Sequence, residues 1–195
     1  MLFDWQPIED QLFECSRNAI LRFAQEHATI KCSFFAYYAD PTYGHFFLNF
    51  DTPENALEAA QEHEQDVRSR WYASLGEEEA WRYAETIMMR SGISDYGPDT
   101  SRFTYSRYDN ITINELDALC CIQEHEDLEL YIAVGEGYLE GNVSIVLWKV
   151  VERLVKNNMF SQLLLTSPFR VGFQFHEETI IVLRILNWPQ HQVGE

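Results

Sequence analysis

Residues 34–50, FFAYYADPTYGHFFLNF, place eight aromatic side chains in seventeen positions, and the run then stops at Asp51-Thr52-Pro53-Glu54. Rings at this density have to be buried, and their spacing decides how. From Ile30 the even positions are Ile30, Cys32, Phe34, Ala36 and Tyr38, and the odd ones are Lys31, Ser33, Phe35 and Tyr37. After Ala39-Asp40-Pro41-Thr42 the pattern resumes with Gly44, Phe46, Leu48 and Phe50 against His45, Phe47, Asn49 and Asp51. Period-two alternation predicts two strands. Asp-Pro and Gly44 supply turn chemistry between them. The expectation is a β-hairpin that buries its even face and leaves Phe35, Tyr37, His45 and Phe47 on the outer face. Pairing Tyr38 with Gly44 sets Phe34 opposite Leu48, Cys32 opposite Phe50 and Lys31 opposite Asp51. Opposite charges across a pair of strands favour that register by roughly a few tenths of a kcal/mol to 1 kcal/mol.

The hairpin leads into a helix start. Thr52 can cap, Pro53 suits the first helical position and Glu54 favours the positive end of the dipole. This helix is expected to reach about Leu75, where Gly76 breaks it, and Glu77-Glu78-Glu79 opens another that ends near Ser91-Gly92. An amphipathic helix precedes the hairpin over 7–27, with Ile8, Leu12, Cys15, Ala19 and Phe23 on one stripe. Residues 92–110, GISDYGPDTSRFTYSRYDN, read as a long loop carrying Arg102 and Arg107 among four aromatics. Asn110 or Thr112 can cap a helix over roughly 113–126, whereas 128–134 is ambiguous between strand and helix. A helix from about Val143 to Asn157 and a second hairpin, Phe169–Phe175 with Ile180–Leu186, complete the chain. The predicted fold is a single α+β domain, an antiparallel sheet built from two β-hairpins with helices packed against one face.

Charge narrows the partners. The chain of 195 residues carries 14 Lys and Arg against 31 Asp and Glu, a net charge of −17, with a pI near 4.6. Such a surface repels phosphate backbones, so neither nucleic acid nor an anionic membrane is an expected partner. Solubility alone accounts for much of it, but a basic protein partner fits too. Glu77, Glu78, Glu79, Glu124, Glu126 and Asp127 are the acidic residues expected to meet one. The opening MLFDWQPIED has neither a basic nor a long apolar segment, no window nears 18 uninterrupted apolar residues, and Cys15, Cys32, Cys120 and Cys121 lack C-x-x-C spacing. A reduced, cytoplasmic protein is the expectation.

No motif assigns chemistry. The triplet Gln-Glu-His recurs at 25–27, 61–63 and 123–125, but H-E-x-x-H and E-x-x-H are absent, so solvated helix surface is favoured over a metal site. Gly135, Gly137 and Gly141 form G-x-G-x-x-x-G, a near miss to the dinucleotide fingerprint, and Glu136 and Glu140 oppose a pyrophosphate there. There is no G-x-S-x-G. No catalytic residue, metal ligand or cofactor is therefore expected. The candidate ligand-binding residues are Tyr37 and His45 on the outer hairpin face with Arg102 and Arg107 from the loop.

The FFAYY…YGHFFLNFDTPEN hairpin-to-helix, Trp71 and Trp81 in the following helices, and a helix ending LVKNNMF before a C-terminal hairpin together resemble an uncharacterised family of bacterial domains. The resemblance covers most of the chain and brings no catalytic residues. Some members of that kind occur near polymorphic toxin systems, which implies an immunity or binding role. Two functions follow as expectations: an acidic, immunity-type inhibitor of a basic protein, or a small enzyme or ligand-binding domain with its site at the 92–110 loop and the outer hairpin face.

Overall fold

A computed structural model describes residues 3–75, 96–116, 136–176 and 178–187. In chain order its main elements are α1 (Gln6–Glu26), β1 (Lys31–Asp40), β2 (His45–Asp51), α2 (Pro53–Leu75), β3 (Tyr105–Thr112), α3 (Glu136–Lys156), β4 (Leu164–Phe175) and β5 (Ile181–Leu186). The strands form one five-stranded sheet in the order β3-β2-β1-β4-β5. β1–β2, β2–β3 and β4–β5 are antiparallel. β1 and β4 run parallel. The fold is α+β as expected, and both hairpins form, but the sheet is mixed: the two hairpins join side by side through a parallel seam.

β1 is the central strand, and six consecutive residues, Cys32 to Tyr37, are buried. Both of its faces are covered, so it reads as a near-continuous apolar run and not as a clean alternation. This corrects the expected register. Phe35 pairs with Phe50, Tyr37 with Leu48 and Ala39 with Phe46, while Phe34 faces Asp51 and Tyr38 faces Phe47. Odd positions of β1 therefore share a face with even positions of β2. Phe35, Tyr37, Phe46, Leu48 and Phe50 form the main core with Leu12, Ile20 and Phe23 of α1 and with Val143, Leu147 and Val150 of α3. Phe34 and Ala36 lie on the opposite face in a smaller cluster with Phe103 and Ile180. Gly44 is not a strand residue: it closes the turn after Pro41–Tyr43 in the left-handed region, φ 63°, which costs glycine little.

The expected Lys31–Asp51 pair is absent. Lys31 sits opposite Leu164 on β4. The buried Asp51 carboxylate instead accepts from Asn55 Nδ2 (2.7 Å), Thr104 N (3.0 Å) and Thr104 Oγ1 (3.1 Å). It ties the end of β2 to the start of α2 and to the segment before β3. Burial pushes its pKa upward, against these bonds, which act to lower it. Thr52 accepts from Asn55 N at 3.4 Å, as an N-cap does at its third following residue.

The helices α1 and α2 and the end of α3 fall where expected, and Asn158 adopts φ 55° beyond the last turn of α3. Two predicted boundaries are corrected. Residues 105–110 of the predicted 92–110 loop belong to the strand β3, and α3 begins at Glu136, which makes Gly137 and Gly141 helical residues and not a nucleotide-type loop. Residues 114–116 begin a helical turn after Ile113, so neither Asn110 nor Thr112, both in β3, caps it. The helix predicted over 77–92 and the ambiguous segment 128–134 lie outside the described residues, as do the acidic residues at 77–79, 124, 126 and 127 and the thiols at 120 and 121.

Candidate functional site

The outer face of the sheet holds a pocket of about 380 Å³, within the usual range for small-molecule sites. Its floor is polar. Tyr38 from β1, Asn49 from β2 and Gln174 from β4 all line it, with His176 directly after β4. Its walls are Pro98–Ser101, Ser106 and Arg107 at the start of β3, and Glu178 and Thr179 in the β4–β5 turn. The pocket thus lies between residues 98–107 and the face of the sheet that carries Phe34 and Ala36.

Each wall is fastened by a buried side-chain amide. Gln174 Oε1 accepts from the buried Thr100, both from its N (2.8 Å) and from its Oγ1 (2.6 Å), and Gln174 Nε2 donates to the Glu178 carbonyl at 2.6 Å. One side chain therefore staples the loop to the β4–β5 turn. Ile180 N donates to the Pro98 carbonyl at 3.1 Å alongside it. Asn49 does the same on the other side. Its Nδ2 donates to the Ala36 and Phe47 carbonyls (3.1 and 3.0 Å), and its Oδ1 accepts from Arg107 N at 2.7 Å. The loop has an apolar anchor as well, Phe103 against Phe34, with ring centroids 5.4 Å apart. Gly97 is required there, because a Cβ at this position would stand 2.7 Å from the Ala59 methyl of α2.

Arg107 sits on a bulge. Leu48 pairs with Asp109 and Phe50 with Tyr105, so residues 106–108 of β3 stand opposite Asn49 alone. Its backbone is left-handed, φ 53°, an unusual conformation for a residue with a side chain. The guanidinium lies 4.9 Å from the centroid of the Phe47 ring. On the floor Tyr38 Oη and His176 Nδ1 are 2.6 Å apart. Asp99 caps the short turn Thr100–Arg102 by accepting from Ser101 N and Ser101 Oγ, both at 2.8 Å.

Of the four predicted ligand residues, Arg107 alone lines this pocket. Tyr37 is a core residue: it is fully buried on the helix-facing side, with its hydroxyl 2.7 Å from Ser16 Oγ. The parity error in β1 put it on the wrong face. His45 is on the outer face but at the far end of the hairpin, 3.4 Å from Thr112 Oγ1. Arg102 points away and pairs with Glu62 of α2. The grouping of Tyr38, Asn49, Gln174 and His176 is not visible in the sequence, because β1–β4 pairing brings them together and neither hairpin alone does. The available signal was Asn49 and Gln174, uncharged amides inside otherwise apolar strands.

Elsewhere, Arg22 of α1 pairs with Asp109 at 2.7 Å, and Tyr108 donates to Glu26 at 2.5 Å, which laces α1 to β3. Among the described residues no group of three His, Cys, Asp or Glu side chains comes together to hold a metal ion, and no helix is long and apolar enough to cross a membrane. No family model, no curated protein and no solved structure matches the chain.

Proposed function

We propose that the chain is a binding protein for a small polar molecule held on the outer face of its sheet. The observation that carries this is the pocket itself: a cavity of about 380 Å³, lined mostly by residues with polar side chains, whose walls are fixed by two buried amides, Asn49 and Gln174. Buried amides cost free energy unless every partner is in place. Here Gln174 holds Thr100 and the Glu178 carbonyl, and Asn49 holds the Arg107 N–H together with two carbonyls of the sheet. A left-handed arginine at the rim adds to this, since backbone strain of roughly 1–3 kcal/mol persists where surrounding structure holds it, and it clusters at ligand sites.

The test is a fragment screen by ligand-observed NMR against the wild type and Thr179→Trp. Thr179 is exposed and lines the pocket, so a bulky ring there fills the cavity without entering the core. Hits that vanish in Thr179→Trp support the reading. Hits that bind both proteins equally, or none at all, refute it.

A second reading, that of an acidic protein that meets a basic protein partner in the manner of an immunity inhibitor, rests on the net charge of −17. Co-purification with proteins of neighbouring genes, repeated at low and high salt, tests it. A partner released by salt supports it, and the absence of any salt-sensitive partner counts against it.

A further inference from the structure

Charge is unevenly spread around this pocket. Two carboxylates line it, Asp99 and Glu178, and their backbone segments are tied together. Gln174 accepts from Thr100 N and Oγ1 and donates to the Glu178 carbonyl, while Ile180 N donates to the Pro98 carbonyl. Asp99 therefore sits between two residues that are both bonded to the β4–β5 side. The arginine of the lining belongs to the other side. Arg107 N is held by Asn49, and its guanidinium lies over the Phe47 ring. Both partners are in β2, and β1 runs between β2 and β4. The end of the pocket formed by 98–101 with 178–179 thus carries two carboxylates and no lysine or arginine, in a chain of net charge −17.

That end is also short of hydrogen-bond donors. Thr100 Oγ1 gives its one hydrogen to Gln174, and Ser101 Oγ gives its own to Asp99. The N–H groups of Thr100, Ser101 and Glu178 are bound to Gln174, Asp99 and the Phe175 carbonyl. Gln174 Nε2 spends one of its two hydrogens on the Glu178 carbonyl. Across the floor, Asn49 Nδ2 spends both on the Ala36 and Phe47 carbonyls. Acceptors are left over: the two carboxylates and the oxygens of Thr100 and Ser101, each with a lone pair to spare. An anion here would meet lone pairs and negative charge. A cation with N–H groups would meet acceptors.

We infer that the pocket takes a guanidinium or primary ammonium group, seated at the Asp99–Glu178 end with its N–H groups donating to the carboxylates and to the Thr100 and Ser101 oxygens. The inference rests on the pocket being a ligand site and names the class of its occupant. Charge-assisted hydrogen bonds of this kind are stronger than neutral ones.

The experiment is a saturation-transfer NMR titration of the full chain with five probes that share one alkyl tail. They are butylguanidine, butylamine, butyltrimethylammonium, butylurea and pentanoate. The first two are expected to bind. Butyltrimethylammonium, which keeps the charge without N–H groups, and butylurea, which keeps N–H groups without the charge, are expected to bind at least about fivefold more weakly, and pentanoate weakest. Asp99→Asn and Glu178→Gln should each weaken butylguanidine by about three- to tenfold, and Thr179→Trp should abolish its binding. Glu58→Gln removes an exposed carboxylate of α2 outside the pocket and should change nothing. Circular dichroism checks that the variants are folded. Acetyl-Gly-Arg-Gly-amide carries the same guanidinium on a peptide. Its binding more tightly than butylguanidine assigns the group to a protein side chain, and more weakly to a free molecule; either result supports the class. Equal binding by butyltrimethylammonium, butylurea or pentanoate would overturn the inference. So would cation binding that survives Thr179→Trp, or that falls as far in Glu58→Gln as in Glu178→Gln, since the acidic surface at large would then be the binder. Cations failing while other fragments bind and are lost in Thr179→Trp overturn the inference and leave the pocket reading standing. Failure of cations and fragments together overturns both.

Discussion

Arg107 offers a test in which the sign of an effect is decided by one backbone angle. At ordinary positions Ala is more stable than Gly, because glycine loses more freedom on folding, an effect of about 0.4–1 kcal/mol. At φ 53° the order should reverse. A Cβ in the left-handed region costs roughly 1–2 kcal/mol, and glycine is spared that cost. Taking about 1.5 kcal/mol for the strain and about 0.7 kcal/mol for the entropy leaves Arg107→Gly about 0.8 kcal/mol more stable than Arg107→Ala. Both variants lose the guanidinium–Phe47 contact, and both keep the N–H donated to Asn49, so neither term enters the difference. For a chain of this size the gap corresponds to about 2–3 °C in Tm. Urea melts give the same quantity from the midpoint with m held common.

Asn110, an exposed residue of the same strand with no positive φ, provides the control. There Asn110→Ala should exceed Asn110→Gly in stability. If Ala equals or exceeds Gly at 107 as well, the left-handed bulge is refuted, and with it the reason for reading strain at the pocket rim.

Three further outcomes are expected. Tyr37→Phe should cost roughly 1–2 kcal/mol, because it strands the buried Ser16 hydroxyl, and Ser16→Ala/Tyr37→Phe should recover part of that; additive losses in the double-mutant cycle would count against the bond. Burial pushes the Cys32 thiol up to about 12 and raises Cys15 as well, so at pH 8 mass-spectrometric mapping with a thiol reagent should find Cys32 unlabelled until urea unfolds the chain; fast native labelling would contradict its burial. Asp51 has its pKa raised by burial, so the folded state holds that proton more tightly than the unfolded chain, and its contribution to stability falls as pH rises from the ordinary carboxylate range through the raised value. The stability of Asp51→Asn relative to wild type should therefore increase between pH 4 and pH 7, and a flat difference in paired urea melts would refute the shift.

The parts of the fold that were legible in the sequence are those written in local chemistry. Pro53 behind Thr52, the stripe from Ile8 to Phe23 and the alternation of 169–175 each specify an element by themselves. What was not legible was face and partner. In β1 both parities are apolar, Phe34 and Ala36 on one side, Phe35 and Tyr37 on the other, so alternation identifies a strand without saying which side meets the helices. The cross-strand charge rule then favoured a wrong register, because Asp51 is more fully satisfied by three donors from Asn55 and Thr104 than by one lysine. β3 was hidden by its own composition: Ser106, Asp109 and Asn110 are turn formers, and pairing with β2 on either side of the bulge makes the segment a strand.

The same non-local pairing makes the candidate site. Asn49 and Gln174 are 125 residues apart in the chain, yet both reach one pocket because β1 lies between β2 and β4 and pairs with each. Each amide fastens one wall of it, beside the apolar anchor of Phe103 on Phe34. The wall at 98–101 is held by Gln174, and the rim at Arg107 by Asn49. A purely structural solution would close that face with alternating apolar residues, as the opposite face does with Phe46, Leu48 and Phe50. Here the sequence places amides, hydroxyls and a strained arginine over a central strand that is apolar on both sides, and this departure from plain packing is what the proposed ligand site would require.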